Sequence, residues 1–328
     1  MKYTTLGDTG LKVSRLCIGC MSFGGRDAKG FEWTLGYEDS KKIIDRAIDL
    51  GINFFDTADV YSNGKSEQIV GRAMQGRRND VVLATKVGLP TGDGLRLAGG
   101  LGRKHVVRNM RRSLANLRTD RVDLYQIHRW DYDTPIEDVL RTLTHVVRDM
   151  KAADHIGGSS MWAWQFAKSL RASDRLDLER FKTMQNHYNL AYREEEREMI
   201  PLCEDEGIPL IPWSPLGRGF LTGKYKRRAK PSGIRYTKDR YLGSRYFKPE
   251  DFDVVERLEE VAREKGAKPA QVALAWLLQK EDVASPIIGP TRVEQLEELV
   301  EATGIRLKSG DMKALEEPYR PHPVLGHE

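Results

Sequence analysis

No stretch of this 328-residue chain approaches the roughly 18 consecutive apolar residues that a membrane-spanning helix needs. Its opening, MKYTTLGDTG, also lacks the apolar centre of a secretory signal, so a cytoplasmic protein is expected. Cysteine is scarce: Cys17, Cys20 and Cys203 are too few for a disulfide framework. Cys17 and Cys20 do form a C-x-x-C, but a zinc site needs a second pair of thiolates or histidines at ligand spacing, and only Cys203 remains. A dithiol redox motif opens a helix, whereas SRLCIGCMSFGG has the look of a short strand entering a glycine-rich loop. Neither thiol chemistry nor a metal is expected. An excess of one charge is nearly missing too. The 53 basic and 48 acidic residues leave +5, which admits an anionic ligand without arguing for nucleic acid or a membrane surface. Nor is there a Gly-x-Gly-x-x-Gly after a strand, the signature of a doubly wound dinucleotide fold. GRGFLTGK, Gly217 to Lys224, has the wrong glycine spacing for a phosphate-binding P-loop.

What is present is an ordinary globular balance, with 40% hydrophobic and 31% charged residues, enough for a large core. Short apolar runs alternate with amphipathic segments. The runs are RLCIG, INFFD, VVLATKV, VDLYQIH, HIGGSS, FKTMQNHY, IPLIPWS and ASPIIG. Helices are expected over Ser40–Leu50, Arg103–Leu117, Pro135–Met150, Arg193–Asp205, Pro249–Lys265, Pro269–Gln279 and Arg292–Ala302. Thr134 before Pro135, and Thr291 with Glu294 three residues later, give helix-start signals. Eight strands alternating with helices point to parallel βα units, and eight is the number that closes a ring. The runs are apolar throughout, as strands covered on both faces should be. The expected fold is therefore α/β, a (β/α)8 (TIM) barrel forming one domain over residues 1–328. MKYTTLGDTGLKVSRL, residues 1–15 and a little beyond, turns at Gly7 to Gly10 as a hairpin over the barrel bottom.

Chemistry in such a barrel sits where strands end at their C-terminal side. The second strand ends in Asp56, with Tyr61 in the loop after it. The third carries Lys86, and the fourth ends in His128. Each alone has a bland explanation: a turn-forming Asp, a packed Tyr, a solvated Lys, a structural His. A carboxylate at the end of a buried strand needs a partner, however, and Lys86 in VVLATKVG is itself too buried to stand unpaired. Four ionisable groups on three consecutive strand ends converge on one mouth.

GINFFDTADVYSNGKSEQIVG, LATKVG, RVDLYQIHRWD, QNHYNL, IPWSPLGRGFLTGKY and PIIGPTRVEQLEE, running in order over nearly the whole chain, resemble the aldo-keto reductases. The likeness is greatest to the bacterial branch near the voltage-gated potassium channel β-subunits. The resemblance implies a barrel that binds NADPH (or leaves NADP+) and reduces an aldehyde or ketone, or oxidises the alcohol in reverse. It places a catalytic tetrad on Asp56, Tyr61, Lys86 and His128. Tyr61 would be the general acid, its pKa lowered by Lys86, which Asp56 holds. His128 would polarise the carbonyl oxygen; the channel subunits carry an amide side chain there.

The resemblance also assigns cofactor contacts. Gly19, Cys20, Met21 and Asp56 would lie beside the nicotinamide, with Ser159, Ser160 and Gln185 on its carboxamide and Trp213 stacked on its ring. Ser214, Pro215, Leu216, Gly217, Gly219 and Lys224 would follow the pyrophosphate. Gly289, Thr291 and Arg292 would take the ribose 2′-phosphate at a helix N-terminus, and Gln295 and Glu298 the adenine. Trp33, Tyr61, His128 and Trp130 are the candidate substrate walls. Residues 214–250 are expected to form a cofactor and lid loop. The basic, aromatic stretch Gly223 to Phe247 suits a cover over an anionic cofactor better than nucleic acid. Departures from the pattern are Leu299 where relatives often have asparagine, Asp154 and His155 where a basic and an aromatic residue are usual, and Cys20 in place of threonine. The partner expected is a small carbonyl or alcohol, with no nucleic acid or membrane, and a homo-oligomer stays open. Two rivals are an NADPH-binding regulatory subunit with little turnover and a metal-dependent sugar isomerase. His128 speaks against the first, and too few carboxylates and histidines at strand ends against the second.

Overall fold

The computed structural model describes residues 1–25, 32–91, 99–227, 237 and 239–327. The strands are β1 (Tyr3–Thr5), β2 (Lys12–Ser14), β3 (Cys17–Gly19), β4 (Phe54–Asp56), β5 (Val82–Val87), β6 (Val122–Ile127), β7 (Ala153–Ser159), β8 (Phe181–Gln185) and β9 (Ile287–Ile288). Interleaved with them are α1 (Tyr37–Asp49), α2 (Lys65–Ala73), α3 (Arg103–Leu117), α4 (Ile136–Thr144), α5 (Ala163–Leu176) and α6 (Met199–Asp205). Then come α7 (Arg240–Arg245), α8 (Pro249–Glu264), α9 (Pro269–Leu278), α10 (Val293–Glu301) and α11 (Ser309–Glu316).

β3 to β9 form one parallel sheet in the order β8-β7-β6-β5-β4-β3-β9. All six residues of β5 and of β6 are buried, because helices cover the outer face while the opposite face packs inside the ring. The gap between β8 and β9 is spanned by IPLIPWS. Leu210 and Trp213 bridge Met184 and His187 on one side and Val283 and Ile287 on the other, so the eighth position is filled and the barrel expectation holds. No regular strand forms there for a local reason. Leu210 donates its N–H toward Asp282, Ile211 toward Met184 and Trp213 toward Asn186. Pro212, whose donor would continue the ladder on the β9 side, has none.

β1 and β2 pair antiparallel, Tyr3 opposite Ser14. Leu6 and Val13 pack with Cys17, Phe54 and Val82, the first residues of β3, β4 and β5. The hairpin thus stoppers the N-terminal end of the ring, and the mouth is left at the other end. Asp154 lies near the start of β7, half-exposed and 3.6 Å from Arg121. That puts this departure on the side away from the mouth.

Helix positions follow the amphipathic pattern, with instructive differences at the ends. α4 stops at Thr144, and its last turn widens over His145–Asp149. The helix expected from Arg193 begins at Met199, after a single turn over Glu194–Glu196. Thr291 does not form a capping box with Glu294; Gln295 Oε1 accepts both the Thr291 amide, at 2.9 Å, and its hydroxyl. Helices α2, α5, α7 and α11 were not among those expected. Gly71 lets α2 approach α3, since a Cβ there would sit 2.4 Å from the Leu117 backbone. No helix among the described residues is long and apolar enough to cross a membrane.

Candidate active site

β5 carries Lys86 into the interior with no exposure to solvent. All three ammonium donors are used: on Asp56 Oδ2 at 2.5 Å, the Thr57 carbonyl at 2.9 Å and Tyr61 Oη at 3.2 Å. The remaining carboxylate oxygen, Asp56 Oδ1, accepts Gln126 Nε2 at 3.0 Å and Gln185 Nε2 at 2.9 Å. A buried carboxylate with one cation and two amide donors is satisfied, which offsets the cost of placing it there. The parallel register makes this possible, because Asp56 lies opposite Ala84 and Lys86 opposite Gln126. Tyr61 sits at the head of a turn in which Ser62 and Asn63 are left-handed, at φ 46° and 53°. The turn swings the phenol back over the strand ends. The His128 ring meets Tyr61 edge-on at 5.7 Å, and His128 Nδ1 is buried without a hydrogen-bond partner. The tetrad expected from the strand ends is one connected cluster.

Burial, then the nearby Lys86 and Arg129 cations, hold His128 well below its usual pKa of 6.5, so its ring is neutral. Burial alone would lower Lys86, but Asp56 and Tyr61 outweigh it and keep the ammonium charged. Tyr61 corrects an expectation. Burial raises its pKa above 10, and Lys86 pulls it down only in part. The phenol is firmly protonated in this state. Asp59, three residues beyond Asp56, stays out of the cluster; burial, then Glu67, push its carboxyl pKa well up.

The cluster forms the floor of a cavity of about 1510 Å³. Gly19, Met21, Asp56, Ser159 and Gln185 line it at the strand ends, together with Trp33, Tyr61 and His128. Trp213, Ser214, Pro215, Leu216, Gly219 and Lys224 form one flank, and Gly289, Thr291, Arg292, Gln295, Glu298 and Leu299 the far end. Lys86 lies behind this wall. Four other expected residues also stand outside it. The Cys20 thiol is fully buried, 3.6 Å from the Ile18 carbonyl. Ser160 is a layer back, its Oγ accepting Trp213 Nε1 at 2.9 Å. Gly217 faces Phe220 and Tyr246. Trp130 packs on Trp164, centroids 6.2 Å apart, on the outer rim. The Gln185 amide nitrogen is already committed to Asp56 and Gln126. One face of Trp213 is taken by His187, stacked at 4.2 Å.

The wall also includes residues the motifs did not single out: Arg129, Arg218, Arg245 and, from the chain's end, Leu325 and Gly326. HRW and GRG could have drawn notice to the first two. Nothing local marks the tail. The lid expected over Gly223 to Phe247 falls partly on residues 228–236 and 238, outside the described residues.

The aldo/keto reductase family profile matches residues 15–320. The chain belongs to the aldo/keto reductase family. Among its relatives are a versiconal hemiacetal acetate reductase of Aspergillus parasiticus and a putative aryl-alcohol dehydrogenase of Schizosaccharomyces pombe. The first is 39% identical over 99% of this chain and 98% of its own length. The second is 38% identical over 99% of this chain and 97% of its own length. An aldo-keto reductase of Alternaria alternata is 36% identical over 99% of this chain and 93% of its own. This reductase is accordingly an oxidoreductase of carbonyl and alcohol groups. These relatives are fungal, so the narrower likeness to a bacterial branch is not upheld.

Proposed function

We propose that this reductase passes hydride between NADPH and an aldehyde or ketone, with Tyr61 supplying the proton to the carbonyl oxygen. The observation that carries this reading is the Asp56–Lys86–Tyr61 chain opening beside a neutral His128 on one large cavity. The cavity exceeds the 300–1,000 Å³ usual for a single small ligand and suits a dinucleotide plus a carbonyl. Its wall carries Arg129, Lys224, Arg245 and Arg292, and an Arg218 already paired with Asp239, against Glu32, Glu298 and an Asp56 already paired with Lys86, a balance that favours an anionic ligand. NADPH, when bound, supplies the hydride. Ser159 and the side-chain carbonyl of Gln185 would hold its carboxamide, and Lys224 its pyrophosphate. Leu299, in the far end of the cavity, would offer the adenine an apolar contact in place of an amide.

In this reading Tyr61 Oη and the His128 ring hydrogen-bond the carbonyl oxygen, and the Tyr61 proton moves to that oxygen as charge develops. Lys86, 3.2 Å from Oη, stabilises the tyrosinate left behind. Alcohol oxidation reverses these steps. The relatives' names, aryl-alcohol dehydrogenase among them, and the aromatic wall of Trp33, Trp213 and Tyr225 favour aryl carbonyls as substrates. The test is NADPH consumption with 4-nitrobenzaldehyde and a panel of aryl ketones, chelator present and no metal added. Turnover supports the reading; an absolute need for a divalent cation overturns it.

Cofactor choice is tested at Arg292. It is the N-cap residue of α10, in extended backbone at φ −147°. Its guanidinium and the helix's first amides would meet a 2′-phosphate together. One such charge-assisted contact is worth roughly 1.5–3 kcal/mol, or about ten- to a hundredfold in affinity. Arg292→Ala should weaken NADPH by that factor and NADH little, with kcat near wild type. Equal losses for both cofactors in a binding titration would make Arg292 structural.

A further inference from the structure

Trp213 belongs to the cavity wall, and so does the chain's tail through Leu325 and Gly326. The two touch, since a Cβ on Gly326 would lie 3.3 Å from Trp213 Cζ2. Among the described residues the tail has no helix or strand of its own beyond α11, so side chains must hold it. Most fasteners act upstream or at the very end. Glu194 accepts Tyr319 Oη at 2.6 Å and the His322 amide at 2.8 Å. His322 pairs with Asp251 at 2.8 Å, and His327 with Glu195 at 3.1 Å. The wall-forming stretch itself is gripped by Tyr192. Its Oη accepts the Leu325 amide at 2.9 Å and donates to the Leu325 carbonyl at 3.5 Å.

The same phenol ring stacks on His187 at 4.1 Å, 12° from parallel. His187 stacks in turn on Trp213 at 4.2 Å and 9°. His187 Nε2 lies 2.6 Å from Tyr246 Oη, which ties the stack to the segment carrying Arg245. One column, Tyr192–His187–Trp213, its first two rings buried and its third on the cavity wall, therefore joins three wall segments far apart in sequence.

We propose that Tyr192 is a positioning residue for the substrate wall. Its hydroxyl seats Leu325 and Gly326 against Trp213, and that seat sets how well bulky aryl carbonyls fit. Tyr192 does not line the cavity among the described residues and acts only through the tail and the stack. The proposal rests on the carbonyl-reductase reading above. A substrate small enough to stay near Tyr61 and His128 does not feel the tail; one carrying a fused aromatic system does.

The variant Tyr192→Phe keeps the ring stack and deletes the hydroxyl. Losing one buried hydrogen bond changes a local equilibrium by about three- to tenfold. Amide exchange at Leu325 and Gly326 should accelerate by that order. The KM for 2-naphthaldehyde should rise about three- to tenfold, while kcat, the KM for propanal and NADPH affinity each stay within about twofold. Unchanged tail exchange, equal KM losses for both aldehydes, or a fall in kcat alone would each overturn the proposal. Tail exchange needs no turnover. A wild type inactive on every carbonyl would therefore defeat the reductase reading, while the exchange result would still decide whether Tyr192 holds the tail. Tyr192→Leu, which removes the stack as well, should show larger KM losses than Tyr192→Phe; losses no larger would remove the stack from the proposal.

Discussion

Tyr61→Phe is expected to lower kcat for aldehyde reduction by about 10²- to 10⁴-fold, the usual worth of general acid catalysis. NADPH affinity should stay within about twofold, because the ring and its edge contact with His128 at 5.7 Å are kept and only Oη is lost. The sign of the pH dependence follows from the same surroundings. Burial raises the Tyr61 pKa above 10, so the acid is fully protonated through the neutral range, and reduction should fade only as pH rises toward that raised value. His128, neutral because burial and the Lys86 and Arg129 charges depress its pKa, should add no ionisation near 6.5. Single-turnover rates across pH measure both effects. A phenylalanine variant within about threefold of wild type would remove Tyr61 from the chemistry.

Lys86→Met should cost about 3–5 kcal/mol of folding stability as well as most of the activity. The thioether fills the volume, but Asp56 is left as a buried carboxylate with amide donors and no cation, the situation in which breaking a buried pair is most damaging. Gln126 and Gln185 soften the loss without cancelling it. Urea midpoints for Lys86→Met, Asp56→Asn and the double variant decide the matter. The double variant should be more stable than the sum of single losses predicts, because the residues share one contact. Strict additivity would mean the 2.5 Å pair is not the source of the effect.

The tetrad was legible because strand ends are legible. With INFFD, VVLATKV and VDLYQIH as parallel strands, Asp56, Lys86 and His128 share a mouth, and the pairing of Asp56 with Lys86 follows from the cost of leaving either unpaired. Gln126 escaped notice because an uncharged amide inside an apolar strand announces nothing; only its register opposite Lys86 shows its use. The pull of Lys86 on the Tyr61 pKa was legible, but the larger upward push of burial was not, because a sequence shows which charges are near and not how much water is excluded. Pro209 and Pro212 were in plain view within IPLIPWS, yet a missing donor shows as a broken ladder only when both neighbours are known. The tail was beyond reach. Tyr192 and Leu325 lie far apart in the chain, and neither belongs to a periodic pattern that would bring them together.

The ring closes where β3 pairs with β9, Cys17 beside Ile287 and Ile18 beside Ile288. These partners sit at opposite ends of the chain. On a ribosome the first barrel strand therefore emerges early and waits, one edge unpaired, until nearly all of the protein has been made. Loop-closure entropy over so long a separation delays that pairing further. Cys17 and Ile18 carry no charge to discourage other strands from adding to that edge, so the nascent barrel, rather than the finished one, is where this chain is most open to misassembly.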